Sequence, residues 1–215
     1  VFFKGYIKTN NKQAAEKFKG RTEFKTLQEV QSLSEYAGVL AQDTILIDID
    51  DGDQSEKLMD IVEALQLNCR VYQTTRGKHF LFKNSKVSNC HTHKNLAIGL
   101  TADIKVGFVN SYEVLKFNGQ ERFAEWDIEN PDTDNYQEIP KWLFPVNYDI
   151  DFLDMDAGDG RNQALFNYIL VLQSNDFTIE ETRETIRIIN KYILKEPLSD
   201  EELEAILRDD AFKKP

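Results

Sequence analysis

Cysteine, proline and long apolar runs are all scarce in this chain of 215 residues, and each shortage excludes a class of protein. Two cysteines, Cys69 and Cys90, are too few for a disulfide framework, which favours a reducing compartment. No apolar run approaches the roughly 18 residues that suggest a membrane span, and no signal peptide is recognisable. We therefore expect a cytoplasmic protein with no membrane partner.

Glycine-rich phosphate loops, internal repeats and low-complexity segments are also missing. Without a Walker-type lysine loop, the chain carries no P-loop ATPase. Its length and its 41% of hydrophobic residues suffice for one large domain or two small ones with cores of their own. The first residue is Val1 rather than methionine, and we expect the chain to be a piece of a longer protein.

Charge is unevenly distributed along the chain. The net charge of −11 argues against a protein that coats nucleic acid non-specifically. Residues 1–25 hold seven basic and two acidic side chains, and residues 65–125 hold nine and four. Residues 43–64, in contrast, hold eight acidic side chains and one basic. Such runs usually form solvated faces; the alternative is a basic groove beside an acidic metal site.

The most informative local pattern is Thr44-Ile-Leu-Ile-Asp48-Ile-Asp50, an apolar run that ends in two carboxylates. Because side chains alternate across a strand, Asp48 and Asp50 share one face while the isoleucines share the other. Two like charges at a buried strand end are costly unless a cation lies between them. Hard oxygen ligands of this kind suit Mg²⁺ or Mn²⁺. The alternative is a strand that ends in a polar loop and has no metal-binding role.

The flanking residues predict a mixed α/β domain. Phe24 to Leu40 favours one or two helices, because Leu27 and Val30 begin a helical spacing that continues to Tyr36. Asp53 and Glu56 have the spacing of a capping box, with Asp53 as the helix cap and Asp51 as a group behind the metal ligands. Further strands are expected over residues 69–75, 79–82 and 101–106, and a hairpin over 112–123 around Asn118-Gly119.

A helical unit is predicted at the C-terminal end. Residues 127–160 favour an acidic connector that Trp142 and Phe144 attach to a core. Helices should begin near Arg161, Thr178 and Ser199, the last two with capping boxes. We divide the chain into a catalytic-type α/β domain over residues 1–147 and, over residues 148–215, the end of the connector with a three-helix unit.

Three features on predicted strands can converge: Asp48 with Asp50, then His79, then Asp103. A third carboxylate completes a set of hard oxygen ligands for two divalent ions about 4 Å apart, an arrangement that promotes in-line phosphoryl displacement. Ahead of His79, Thr75-Arg76-Gly77-Lys78 adds positive charge and a backbone that a ligand can approach closely. A triphosphate suits this combination better than a neutral substrate.

The order of these motifs resembles a known family. An apolar strand ending in Asp48-Ile-Asp50 is followed by Thr74-Thr-Arg-Gly-Lys-His-Phe-Leu-Phe82, then by Ala102-Asp-Ile-Lys-Val-Gly107 with Asn110-Ser-Tyr112. These segments look like the three motifs of the archaeo-eukaryotic primase superfamily, within residues 40–125. The closest branch is the primase-polymerase domain of phages, plasmids and other mobile elements. The family usually has small residues before its histidine, whereas this chain has Thr75-Arg76-Gly77.

The resemblance implies an α+β fold: an RRM-like catalytic core with a mixed sheet, followed by a small C-terminal helical bundle. It implies that Asp48, Asp50 and Asp103 hold two Mg²⁺ or Mn²⁺ ions and that His79 contacts the triphosphate of an NTP or dNTP. Weaker nucleotide-binding candidates are Thr75, Arg76, Lys78 and Lys105. Whether Arg76 binds phosphate or faces solvent stays open.

The implied activity is DNA primase or DNA-directed polymerase activity on a single-stranded DNA template, in the bacterial or host-cell cytoplasm. A helicase domain in the same full-length chain is a further implied partner. Arg161 and Asn162, at the start of the helical unit, are candidates for template binding; the bland alternative makes Asn162 a helix cap and Arg161 a surface residue.

Other interpretations are weaker. Cys90-His91-Thr-His93, with Cys69, could bind structural zinc, but its spacing matches no recognised finger, so zinc is disfavoured. His91-Thr-His93 also resembles the paired histidines of rolling-circle endonucleases, without an evident catalytic tyrosine. Phe80, Phe82, Tyr112 and Phe117 could stack bases, although aromatics at alternating spacing usually lie in a core. A metal-dependent nuclease and a non-catalytic DNA-binding module for replication initiation remain as rival functions.

Overall fold

Strands and two helices make up the first two thirds of the chain, and the last third is helical. The computed structural model describes residues 1–129, 135–148 and 151–212. Its strands are β1 Phe3–Asn10, β2 Gln13–Ala14, β3 Tyr36–Leu40, β4 Thr44–Ile49, β5 Arg70–Gln73, β6 Lys78–Lys83, β7 His91–Asn95, β8 Thr101–Val106, β9 Tyr112–Phe117, β10 Gln120–Glu121 and β11 Ala124–Asp127. Its α-helices are α1 Leu27–Val30, α2 Gly52–Ala64, α3 Arg161–Ser174, α4 Ile179–Ile188 and α5 Asp200–Ile206.

The strands form two sheets, so the α+β class is confirmed. One sheet has the order β10-β9-β3-β1-β2 and the other β11-β5-β6-β4-β8-β7. Every neighbouring pair with a defined register is antiparallel, and the expected mixed sheet is therefore wrong. The reason lies in β4 and β5, which run in the same direction on either side of α2. Strand β6 inserts between them and is antiparallel to both.

The internal contacts divide the chain into two units. The first comprises Val1–His93 and Ala102–Ile139, and the second Lys94–Thr101 and Pro140–Pro215. The division therefore falls at Pro140, earlier than the boundary after residue 147 that we placed from the sequence. Residues 94–101 also belong to the second unit. The units are defined by contacts between residues, which can join segments that are distant in the sequence. Among the described residues, no helix has the length and apolarity to cross a bilayer.

Within the first unit, the two sheets face each other across an apolar layer. Leu46 of β4 and Leu81 of β6 pack with Tyr36 and Leu40 of β3 and with Leu115 of β9. The isoleucines of β4 alternate to the opposite face of the sheet, where α2 contacts β4. All six residues of β4 are buried. The face of β4 that carries Leu46 also carries Asp48, so the apolar layer leads directly to the carboxylate.

Two local predictions are wrong for identifiable reasons. The helix expected over Phe24 to Leu40 is reduced to α1, and Tyr36–Leu40 is a strand paired on both sides, with β1 and β9. Burial between two partners overrides an accidental helical spacing. Helix α2 begins earlier than expected: Asp51, and not Asp53, is the N-cap, and its carboxylate accepts a hydrogen bond from the backbone N–H of Gln54 at 2.9 Å.

Three other local predictions, the hairpin turn and two capping boxes, agree with the structure. The hairpin turn has positive φ at Asn118 and Gly119, as a two-residue turn of this type requires. In the second unit, α4 and α5 open with reciprocal capping boxes at Thr178 and Ser199. Helix α3 begins at Arg161 with Gly160 as its N-cap, so Asn162 is not a cap.

The connector is described only in part. Trp142 is buried, as expected, in a short 3₁₀ helix of the second unit, Lys141–Leu143, whereas Phe144 is half-buried. Residues 130–134 and 149–150 of the predicted connector lie outside the described residues.

A tight turn leads into β6 and brings His79 into register. The backbone N–H of Thr74 donates to the carbonyl oxygen of Gly77 at 2.9 Å, and the N–H of Gly77 donates to Thr74 Oγ1 at 3.1 Å. A Cβ added at Gly77 would lie 2.0 Å from the carbonyl oxygen of Ile49, well inside contact distance. Glycine at this position therefore permits the turn to lie against the end of β4.

Gly77→Ala should lower the free energy of unfolding by about 1–3 kcal/mol, the usual cost of overpacking a tight interior. Gly52→Ala is the matched control, because its Cβ would make an ordinary 3.7 Å contact with the carbonyl oxygen of Arg76. Urea unfolding measures both variants. Equal stabilities of the two variants would contradict the close approach of Gly77 to β4.

Candidate functional site

Three strands of the six-stranded sheet bring the candidate residues side by side. Asp48 of β4 lies directly opposite His79 of β6 on one side and directly opposite Asp103 of β8 on the other. Residues opposite each other in paired strands point to the same face and are near neighbours. Here that face is the one that looks towards the five-stranded sheet. The strand register thus places the three residues in one row.

Asp48 is a buried carboxylate held between two cationic side chains. Its Oδ1 lies 2.9 Å from His79 Nε2, and its Oδ2 accepts a hydrogen bond from Lys105 Nζ at 2.8 Å. Burial raises the pKa of Asp48, but His79 and Lys105 together outweigh burial, and the pKa of Asp48 lies well below its usual range. The contact of Oδ1 with His79 is close but poorly directed for a hydrogen bond, so Oδ1 has no hydrogen-bond donor among the described residues.

His79 has a carboxylate at each ring nitrogen. Nε2 faces Asp48, and Nδ1 lies 2.8 Å from Glu113 Oε2 on the facing sheet. Burial lowers the pKa of His79, but Glu113 and Asp48 outweigh burial and raise it above the ordinary histidine value. A protonated ring is therefore favoured in this position, because its positive charge lies between two carboxylates.

Asp50 lies next to Asp48 at the exposed end of the site. Its Oδ2 accepts a hydrogen bond from Arg76 Nη2 at 2.5 Å, and both side chains are largely exposed. Asp48, Asp50 and His79 each offer a ligand atom within 4.8 Å of the others, the single such group of three in the described part of the chain. Hard carboxylate oxygens and the undonated Oδ1 of Asp48 fit a small divalent cation.

Asp103 lies beside this group without joining it. Its carboxylate accepts a hydrogen bond at 2.7 Å from the backbone N–H of His93, whose φ is 48°. The Cα of Asp103 nevertheless lies opposite that of Asp48, and a side-chain rotation is the change that would bring its oxygens towards Asp48. The structure thus shows two of the three expected carboxylates together and the third on the neighbouring strand.

The site opens into a cavity of about 890 Å³ between the two sheets of the first unit. This volume lies in the range of small-molecule and cofactor sites. Thr75, Arg76 and Lys105, three of the nucleotide-binding candidates, line the cavity. Lys12 and Lys19 from the N-terminal segment add further positive charge. The cavity therefore combines a carboxylate centre with basic side chains, the polarity that a metal-bound phosphate ester needs.

The prediction that Lys78 binds nucleotide is wrong. Its side chain is buried away from the cavity, where Nζ donates to Glu125 at 2.5 Å and to Gln73 at 2.7 Å and lies 3.1 Å from Glu56. Strand alternation places it on the face opposite His79. Lys78 therefore supports the fold and does not line the nucleotide candidate site.

The remaining candidates lie outside the carboxylate group. Phe80 and Phe82 are fully buried and cannot stack bases. Arg161 belongs to the second unit, where it donates to the backbone carbonyl of Glu196. Cys69 is buried, and Cys90 contacts the hydroxyl of Ser111 at 3.4 Å.

Two residues of the site escaped the sequence argument. Glu113 on β9 is fully buried, and Arg122, just after β10, lies 2.8 Å from Glu113 Oε1. The sequence did contain one indication of a buried charge: Glu113 occupies an inward-facing position of a strand with alternating apolar residues. A charge at such a position needs a partner, but the partner lies on another sheet and could not be located from local spacing.

Comparison with known proteins offers no further guide to this site. No family model matches the chain, and no curated protein matches it. What the site can do therefore has to be argued from its own geometry and chemistry.

Asp48→Asn should weaken Mn²⁺ binding by tenfold or more, the approximate cost of losing even an outer partner at many metal sites. Asp43→Asn is the matched control, since Asp43 lies just before the same strand and pairs with Lys83 at 2.8 Å. Electron paramagnetic resonance of free Mn²⁺ measures both affinities. If the two variants bind Mn²⁺ equally well, the metal site lies elsewhere.

In the presence of a chelator, the free energy of unfolding should fall as the pH rises above about 6.5, the unfolded histidine value. The pKa of His79 is raised in the folded state, so the folded chain holds this proton longer than the unfolded chain. The loss approaches about 1.4 kcal/mol per pH unit and ends above the folded pKa. His79→Asn should remove this slope and His91→Asn should keep it; identical slopes in urea titrations would contradict the protonated ring.

Proposed function

We propose that this protein is a primase-polymerase, which transfers nucleotides from NTPs or dNTPs to a growing strand on a single-stranded DNA template. The observation that carries the proposal is the row of Asp48, His79 and Asp103, in register on three strands, with Asp48 and His79 at the wall of a basic cavity. Acidic ligands for a divalent ion and donors for a triphosphate lie within one side-chain length of each other. Nucleotidyl transfer is the chemistry that uses both.

The strand order supports the finer fold assignment. Strands β5, β6, β4 and β8 are consecutive neighbours, and α2 connects β4 to β5. This split β-α-β order supports the RRM-like core that we propose. In such a core the central strands carry the functional residues, and here the central strands β4 and β6 carry Asp48 and His79. We assign the helices of the second unit to the small C-terminal bundle of the same family.

Asp48 and Asp50 would hold the divalent ions, Mg²⁺ or Mn²⁺, and Asp103 would join them after rotation of its side chain. When bound, such ions activate the attacking oxygen and stabilise the charge on the leaving oxygen. Their site contains the undonated Oδ1 of Asp48 and the exposed carboxylate of Asp50.

The basic side chains have a second task. Lys105 and Arg76 pair with Asp48 and Asp50 in this structure. Where divalent cations held by these carboxylates took over the pairing, Lys105 and Arg76 would be available to the phosphate oxygens of the nucleotide. His79 adds a donor at Nε2 beside the same position. Lys105, Arg76 and His79 would thus hold the triphosphate.

The transfer itself follows from this positioning. The 3′-hydroxyl oxygen of the growing strand forms a bond to the α-phosphorus, and its proton passes to solvent water. The bond between the α-phosphorus and the bridging oxygen breaks, and the electron pair leaves with pyrophosphate, whose charge Lys105, Arg76 and His79 stabilise. Correct alignment of hydroxyl and phosphate is the main contribution of the protein.

Template contacts and cellular context complete the proposal. The basic side chains Lys12 and Lys19 at the cavity suit a strand backbone, and Arg161 and Asn162 are candidates for template binding in the second unit. The reaction belongs to replication of a phage, plasmid or mobile element in the cytoplasm. A helicase domain in a longer chain would supply the single-stranded template.

Incubation with single-stranded template, a primer, labelled nucleotides and Mn²⁺ should give products longer than the primer. Asp48→Asn should reduce product formation by about a hundredfold or more, because electrostatic stabilisation of this kind typically contributes that much. Asp43→Asn should retain the activity. Gel electrophoresis of the labelled products measures all three proteins.

Other outcomes of this assay contradict the proposal in different ways. Shortened DNA would identify a metal-dependent nuclease that uses the same carboxylates. DNA binding without longer or shorter products would identify a non-catalytic replication-initiation module. Full synthesis by Asp48→Asn would show that the metal site has been assigned wrongly.

A further inference from the structure

We propose that Glu113 is a positioning residue, which fixes the His79 ring from the facing sheet so that Nε2 points to the triphosphate. This inference rests on the proposed function and extends it to a residue on a different sheet. It concerns the orientation of His79 rather than its identity. The evidence lies in the contacts on the Nδ1 side of the ring.

The contact of Glu113 with His79 determines which ring nitrogen faces the cavity. Glu113 Oε2 lies 2.8 Å from Nδ1, and a carboxylate oxygen can only accept, so Nδ1 carries a proton towards Glu113. The imidazole ring is rigid, so fixing Nδ1 also fixes the direction of Nε2. In this structure Nε2 points to Asp48, at the cavity wall where a phosphate would lie.

Arg122 keeps Glu113 in place. Its Nη1 lies 2.8 Å from Glu113 Oε1 and 3.1 Å from His79 Nδ1. The guanidinium forms an ion pair with Glu113 Oε1, although Oε1 accepts no well-directed hydrogen bond in the described part of the chain. Glu113 therefore has one oxygen towards His79 and the other towards Arg122.

The burial of Glu113 argues for a specific task. Its side chain is 1% exposed, between sheets whose other contacts are largely apolar. An apolar pair of similar size would serve stability at least as well, because a buried ion pair rarely gains more than its desolvation costs. What the apolar pair could not supply is an acceptor at His79 Nδ1. The acceptor is therefore the property that the site uses.

Two double variants isolate that acceptor. Glu113→Leu with Arg122→Met removes it, and Glu113→Gln with Arg122→Met keeps an amide oxygen near Nδ1. Both lack the guanidinium, so neither leaves an unpaired buried cation, and they differ at residue 113 alone. Glu121→Gln is the control on the same hairpin; Glu121 pairs with Lys116 at 3.5 Å and accepts a hydrogen bond from Tyr36 at 2.7 Å, which an amide oxygen can also accept.

The first measurement needs no nucleotide. The chain has three histidines, so the ring signals of His79 can be assigned in a nitrogen–proton correlation spectrum with His79→Asn as reference. Wild type and the glutamine variant should show a protected Nδ1 proton. The leucine variant should lose that proton to exchange with water while its backbone spectrum stays that of a folded protein. A protected proton in the leucine variant would overturn the contact.

The second measurement is the nucleotide dissociation constant in the presence of Mn²⁺. We expect the leucine variant to bind nucleotide about 10- to 100-fold more weakly than the glutamine variant, as for loss of a hydrogen bond that orients a charged donor. In the extension assay this loss should appear mainly in KM for the nucleotide. Equal affinity of the two double variants would overturn the positioning role.

The failures of the two proposals can be told apart. A wild-type protein that binds neither NTP nor dNTP would contradict the proposed function, whatever the ring signals show. Nucleotide binding and strand extension that do not depend on the acceptor at residue 113 would contradict the inference alone. Glu121→Gln should match wild type in both measurements. If this variant also lost the Nδ1 proton signal or nucleotide affinity, the effect would belong to the hairpin as a whole, and the role of Glu113 would be overturned.

Discussion

A buried carboxylate that needs compensating charge is the constraint on which this structure depends. Asp48 lies near the end of a fully buried strand, and its two oxygens approach His79 and Lys105 at 2.9 and 2.8 Å. Neither partner is local in sequence, so β6 and β8 must both pair with β4 in one register for the charge to be neutralised. The same requirement explains Gly77, which lets the turn before β6 lie against the end of β4.

The charge network extends from this carboxylate to the second sheet. His79 contacts both Asp48 and Glu113. Glu113 in turn pairs with Arg122, which lies at the edge of the cavity. The apolar layer around Leu46 closes one end of the space between the sheets, and the network lines the other. Alternating charges of this kind can exchange partners when a cation and an anionic ligand enter together, which is the chemistry of a metal-bound nucleotide.

Local patterns predicted much of the fold and part of the site. Alternation and motif order place Asp48, His79 and Asp103 on one face of neighbouring strands, and the observed register agrees. Strand β3 was missed because its flanking apolar residues happen to follow helical spacing. Glu113 was missed because its partner belongs to another sheet, and distances between sheets depend on the whole fold. Lys78 was wrongly placed at the nucleotide, because its partners Glu56 and Glu125 could not be located from local spacing.

The central claim is that divalent cations and nucleotide share the carboxylate centre and replace its internal ion pairs together. Its most direct test is the dissociation constant of an NTP measured by calorimetry with and without Mn²⁺, in wild type and in Asp48→Asn. The account predicts that Mn²⁺ strengthens nucleotide binding by wild type and that this coupling is lost in Asp48→Asn, because linkage requires a shared site. Equal coupling in both proteins, or none in wild type, would contradict it.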